Sequence, residues 1–170
     1  MKKILIIILI SPLLLISSDY AYHRQSEYFP VLMERTELEK SVFSLDVQEI
    51  RKTGKIYYKD SFIFLNELYK GIHVIDNTDP NNPKNIGFIN IPGCIDIAIK
   101  NNSLLADNAT DLVAIDLSNG LNGLTVTKRV RNVFPECTPP DLDYIPGEFN
   151  HSNRPENTII VRWEPINPEQ

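Results

Sequence analysis

The sequence predicts an all-β fold, and three observations carry that expectation. The first is an internal repeat. Lys59-Asp60-Ser61-Phe62-Ile63-Phe64-Leu65-Asn66 is echoed by Lys100-Asn101-Asn102-Ser103-Leu104-Leu105-Ala106-Asp107. Gly71-Ile72-His73-Val74-Ile75-Asp76 is echoed by Asp111-Leu112-Val113-Ala114-Ile115-Asp116. The offset is 41 residues in the first half and 40 in the second, so one residue is missing from the intervening turn. A period of roughly 40 to 45 residues made of short strands is that of a β-propeller blade. The second observation is the strand pattern. Short apolar runs fall near 55–59, 62–66, 71–76 and 85–91, and again near 95–100, 103–107, 111–116 and 124–131. Four strands per repeat is what a blade requires. The third is turn chemistry. Asn77-Thr78-Asp79-Pro80-Asn81-Asn82-Pro83 and Ser118-Asn119-Gly120-Leu121-Asn122-Gly123 stand at the same place in the two repeats. Asn and Asp bond their own backbone there, and proline forbids strand continuation.

From the N-terminus, Lys2-Lys3 form a positive region before the apolar stretch Ile4 to Ile16, which Ser11-Pro12 interrupts. The stretch is shorter than the roughly 20 residues a membrane span needs. Residues 1–18 therefore read as a signal peptide, with an uncleaved anchor as the alternative. Leu15-Ile16-Ser17-Ser18 has the form of a bacterial lipobox, but Ser18 stands where the lipidated cysteine belongs. A hydroxyl cannot form the thioether, so the chain is expected to be extracytoplasmic without lipid, cut after Ser17 or Ser18. Residues 19–54 are a lead-in, polar and aromatic without a clear period up to residue 34. Thr36-Glu37-Leu38-Glu39 matches a capping box, which predicts a helix over about 37–42. Two turns are not stable alone, so that helix must dock on something.

The two repeats then occupy 55–93 and 94–131. Their third strands, Gly71 to Asp76 and Asp111 to Asp116, are apolar without clean alternation, as strands buried on both faces are. Asp76 and Asp116 end them and are expected to accept turn amides. Five prolines (Pro135, Pro139, Pro140, Pro146, Pro155) make 132–156 a loop. A final strand runs over 158–163, and a polar tail ends the 132–170 segment.

The formal net charge is −5, and two units more negative once Lys2 and Lys3 leave with the leader. Such a chain repels phosphate backbones, so nucleic acid is not an expected partner. Lys128-Arg129-Val130-Arg131 reads as the solvated face of a strand. Cys94 and Cys137 make no disulfide framework and are expected to be free, partly buried thiols. His23, His73 and His151 are far apart, and His73, amid apolar strand residues, reads as structural. There is no His-x-x-x-His or Cys-x-x-Cys pair, no Gly-x-Ser-x-Gly elbow and no phosphate-cradling glycine loop. No catalytic, cofactor-binding or metal-ligating residue is assigned, and no cofactor is expected. Asp107, Asp111, Asp141 and Asp143 are the candidate carboxylates. Two at suitable separation could hydrolyse a glycoside, yet all four lie where turns are expected. Tyr57, Tyr58, Phe62, Phe64, Tyr69, Phe88 and Trp163 are expected mainly in the blade cores, with a shallow binding face as the alternative.

Gly71-Ile-His-Val-Ile-Asp76 and Asp111-Leu-Val-Ala-Ile-Asp116 resemble the LVIVD repeat of bacterial exported propeller-like proteins, common among Bacteroidetes. Leu112, Val113 and Asp116 match the signature literally. Gly54-Lys55-Ile56-Tyr57, Tyr69 to Asp76 and Arg154 to Val161 are also similar to the N-terminal part of such proteins. The resemblance covers most of 30–164 and implies a propeller-like, exported repeat protein. Members are usually lipoproteins with further repeats. Here Ser18 replaces the lipid cysteine, and two repeats are present. The family has no firmly defined activity, so the resemblance implies fold and location only.

Closed propellers use about four to eight blades, and repeat units need about three copies to bury enough surface. Two blades therefore leave outer faces that must be covered. Capping by the helix, the proline loop and the last strand is the first solution, and homo-oligomerisation is the second. The expected function is a non-enzymatic, extracytoplasmic module of the cell envelope that binds a protein or glycan. Two alternatives stand beside it: a hydrolase or lyase on a propeller scaffold, which needs converging carboxylates on one rim, and a truncated piece of a longer repeat protein.

Overall fold

The computed structural model describes residues 25–167, which form three antiparallel sheets, none of them closed. Strand β1 (Tyr28–Glu34) leads into α1 (Arg35–Leu38) and the short β2 (Phe43–Leu45). A first meander follows: β3 (Thr53–Lys59), β4 (Phe62–Glu67), β5 (Gly71–Asp76) and β6 (Lys84–Asn90). The second comprises β7 (Ile97–Lys100), β8 (Ser103–Asn108), β9 (Asp111–Asp116) and β10 (Thr125–Val130), and β11 (Thr158–Pro165) ends the described chain. The two third strands coincide with their sequence-predicted limits, the other predicted strands differ by one or two residues at one or both ends, and β1 and β2 are not among the predicted strands. Residues 1–18 with Ser18, and His23, lie outside the described residues. No helix among the described residues is long and apolar enough to cross a membrane.

Repetition extends to the backbone. Asp60 and Asn101 take left-handed φ values of 55° and 54° in the β3–β4 and β7–β8 turns, a conformation these side chains tolerate. Asp76 Oδ1 accepts from the Thr78 amide at 2.9 Å and its hydroxyl at 2.6 Å. Asp116 does the same with Ser118 at 2.9 and 2.6 Å. Both carboxyls lie below the usual aspartate range, first because of those hydroxyl bonds.

Opposed residues in an antiparallel ladder share a face, so the register sorts every side chain. On the first sheet Tyr57, Phe64 and Val74 share one face with Ile72 and Ile89. Ile56, Leu65, His73 and Phe88 share the other with Tyr58, Ile63 and Ile75. On the second sheet Ile97, Ala106 and Val113 share a face with Ile99, Leu104 and Ile115. Ala98, Leu105 and Ala114 share the opposite one. One apolar core joins the Phe64–Val74 face of the first sheet to the Ile97–Ile115 face of the second. Ile72, Ile89, Leu104 and Ile115 have no exposed surface in it, and each such burial contributes about 1.5–3 kcal/mol.

Several expectations are corrected. The capping box does not form. The helix is a single turn whose N-cap is Glu34, with no side-chain capping bond. Thr36 sits inside the turn, and tertiary contacts hold it instead: Arg35 N donates to Asn157 O at 2.9 Å, and Leu38 is buried against Ile159 and Val161. The lead-in is not patternless, since β1 pairs along its whole length with β11 in a two-stranded ribbon. β2 adds a fifth strand beside β6. Arg129 is not part of a solvated face. It donates to Asn108 Oδ1 and Asp111 Oδ2, both at 2.8 Å. The third strands also differ from each other. β5 is buried on both faces up to Val74, whereas β9 alternates buried and half-buried. Among the aromatics, Phe64, Phe88 and Trp163 are buried, but Tyr58 and Phe62 are exposed.

Candidate functional site

The four candidate carboxylates go to three different places. Asp111 has no exposed surface. It accepts from Arg35 Nη1 with both oxygens at 2.8 and 2.7 Å, from Arg129 Nη1 at 2.8 Å and from the Asn132 amide at 3.1 Å. Burial pushes its carboxyl up, but those bonds outweigh burial and hold it below the usual range. It is a strut joining α1, β9 and β10. Asp141 accepts from the Ser26 hydroxyl at 2.9 Å and the Glu27 amide at 2.8 Å, beside the β1 ribbon. Asp107 and Asp143 line one cleft. Among the described residues no group of His, Cys, Asp and Glu could hold a metal ion.

That cleft, about 1010 Å³ and open to solvent, lies between the outward face of the second sheet and the proline-rich segment. Ala98, Leu105 and Leu112 line it from the sheet, Phe134 and Cys137 from the segment, and Ile160 from β11. The segment is anchored where the Val133 and Phe134 amides donate to Thr110 O at 2.8 and 3.0 Å, where Glu136 Oε1 accepts the Ile160 amide at 3.0 Å and where Trp163 Nε1 donates to Cys137 O at 2.8 Å. Within it Arg154 Nη2 donates to Glu136 Oε1 at 2.6 Å. Asp107 accepts the Ile95 amide at 2.9 and 3.0 Å and the Asp96 amide at 2.8 Å, so its lone pairs hold the entry to β7. Burial pushes its carboxyl up. Both cysteines are free. Burial raises the Cys137 thiol to about 11 and the Cys94 thiol well above its ordinary value, so neither is a thiolate near neutrality.

The histidines divide similarly. His73 is fully buried, its Nε2 3.2 Å from Glu67 Oε2 and its ring edge-on to Phe88 at 4.8 Å. Glu67 also accepts the Arg51 amide at 3.0 Å and the Lys52 amide at 2.7 Å, which ties the strip 46–52 across one end of the first sheet's outward face. Burial alone would raise this carboxyl, but the two amides and His73 bring it below the usual range. His151 is exposed, with Nδ1 2.7 Å from Arg154 Nη2.

Beyond the strip 46–52 the outward face of the first sheet is open. Ile56 is 69% exposed and Tyr58 61%, while their repeat counterparts Ile97 and Ile99 are 6% and 8% exposed in the core. Sequence reasoning did not single out this face. The signal was available in the alternation of Ile56, Tyr57 and Tyr58 combined with the offset of the repeat. No family model, curated protein or solved structure matches the chain.

Proposed function

We propose that the chain is an exported, non-enzymatic β-repeat protein of the cell envelope, a short relative of the LVIVD-repeat proteins, whose work is to dock another protein chain. In this reading the two meanders are adjacent propeller-like blades that the chain does not close. One observation carries it: two large apolar side chains, Ile56 and Tyr58, stand in solvent at the positions that the second repeat buries. Exposed apolar area flanked by polar residues marks interaction surfaces. A glycan fits this face less well, because Ile56, Tyr58, Ile63 and Ile75 offer one hydroxyl among them. Asp111 and Asp141 are tied up away from the cleft, and of the two carboxylates that line it Asp107 has its oxygens committed to the Ile95 and Asp96 amides. This supports binding rather than glycoside cleavage, which needs two free carboxyls facing one bond.

The test is site-specific photo-crosslinking in expressing cells, with the reactive residue at Tyr58 and, as control, at the exposed turn residue Asn82. A discrete adduct from position 58 and none from 82 is expected. Adducts from both, or from neither, overturn docking at this face. Export is checked by fractionation, and recovery of the chain in the cytoplasm with its leader intact overturns that half of the proposal.

A further inference from the structure

The docking partner is itself legible in the register of the repeat, and this step rests on the docking reading above. Aligning the repeats puts Ile56, Tyr58, Ile63 and Ile75 over Ile97, Ile99, Leu104 and Ile115. It puts Tyr57, Phe64 and Val74 over Ala98, Leu105 and Ala114. The internal interface therefore joins the second kind of face, on the first sheet, to the first kind of face, on the second sheet. It is head-to-tail, and one face of each kind is not used in it: the Ile56–Tyr58 face stands open, and the Ala98–Leu105–Ala114 face walls the solvent-open cleft. We infer that the partner is a second copy of this chain, whose open Ile56–Tyr58 face seats on the Ala98–Leu105–Ala114 face, entering by the solvent-open cleft between that face and the proline-rich segment, and repeats the pairing of faces seen inside the chain.

Three features fit that occupant. The first is volume. Inside the chain the large Tyr57, Phe64 and Val74 meet the second sheet, whereas the outward face offers the smaller Ala98, Leu105 and Ala114. That leaves room for the large Ile56 and Tyr58 of the incoming copy. The second is the cleft beside Leu105 and Leu112. The strip 46–52 borders the Ile56 face, and its Val47 and Ile50 are 53% and 43% exposed. Docking brings that strip to the cleft, where an apolar lining awaits it. The third is charge. Lys55 and Asp96 are repeat counterparts, and they pair across the internal interface, Nζ to Oδ2 at 2.5 Å. In a head-to-tail assembly Asp96 of one copy faces Lys55 of the next, so opposite charges alternate through every junction. A heterologous contact closes into a ring when its rotation permits. Two or three copies supply four or six blades, within the range of about four to eight that closed propellers use.

The experiment is light scattering on the full chain purified from expressing cells, with Tyr58→Arg and Ala98→Arg. Both positions are exposed, and far-UV circular dichroism confirms folding. Should either variant misfold, Ile56→Arg and Ala98→Glu replace them. The unmodified chain is expected to run as a multiple of the chain mass. Each variant alone should run as a monomer, because each loses one of the two faces. An equimolar mixture should recover a dimer and nothing larger, since one intact face of each kind remains. A monomeric unmodified chain up to its solubility limit overturns the inference. So does an assembly that Ala98→Arg leaves unchanged, which would mean an isologous contact through Tyr58. So does a mixture that fails to complement. If the chain is monomeric yet Tyr58 crosslinks to a different protein, docking stands and the second copy falls. If neither occurs, both fall.

Discussion

Asp111 shows how a carboxylate that reads as chemistry becomes a fastener. Its repeat counterpart is Gly71, so the sequence shows a difference between the repeats at this position but not its purpose. That purpose depends on Arg35, 76 residues away, and on Arg129. No local pattern joins the three. Removing one partner of a buried ion pair strands the others, at a cost of about 3–5 kcal/mol. Asp111→Ala should therefore lower the urea midpoint steeply, and a change within error in equilibrium unfolding would refute the strut. The pH dependence follows from direction. The Asp111 carboxyl is held below its ordinary 3.8 and that of Glu67 below its ordinary 4.5. Their stabilisation is complete above the unfolded values and is lost as pH falls through the lower folded values. Asp107, raised by burial, works in the opposite sense and gains stability as its proton binds. Asp111→Asn should flatten the loss of stability below about pH 4, measured by unfolding at a series of pH values. An unchanged slope would mean that other carboxyls govern acid unfolding.

The strands of the two meanders were legible because their signals are local: largely apolar runs of five to eight residues bounded by Asn, Asp, Pro and Gly. β1 was not. Tyr28-Phe29-Pro30-Val31 does not alternate, and its partner lies at the far end of the chain, Tyr28 opposite Pro165. The failed capping box has the same cause in reverse: a correct local motif lost to the tertiary bonds of Arg35 and Leu38. Junctions between elements are set by backbone room, which can be tested at two glycines. Gly93, at φ 78°, closes the link from β6 to β7, and a Cβ there would stand 2.6 Å from Ala109 backbone atoms. Gly120, at φ 63°, has nothing within 4 Å of an added Cβ. Gly120→Ala should therefore show only the left-handed backbone cost of about 1–2 kcal/mol. Gly93→Ala should cost distinctly more, because β6 and β7 must part from the turn at Ala109. Equal melting shifts would show that the close approach carries no weight.

At the scale of the molecule, the repeat made the two sheets legible, but the open faces emerged only from the register combined with burial. A period of about 40 residues states that units are similar. Which side of one meets which side of the next depends on the pleat, and a one-residue slip would exchange the faces. The core draws on both sheets, so neither meander has an apolar interior of its own. The β1–β11 ribbon is tied in through Leu38, Ile159 and Val161 and through the bonds of Arg35 to Asp111. Unfolding should thus be a single transition. Fluorescence of Trp163, which reports on the ribbon, and far-UV circular dichroism, which reports on the sheets, should give coincident denaturant curves. An earlier fluorescence transition would make the ribbon a separate unit. Head-to-tail docking adds a signature that an isolated fold lacks. Association stabilises by mass action, so the melting temperature of the unmodified chain should climb with protein concentration. In Tyr58→Arg, which keeps the core but loses one face, it should stay level. A parallel climb in that variant would place the association elsewhere on the molecule.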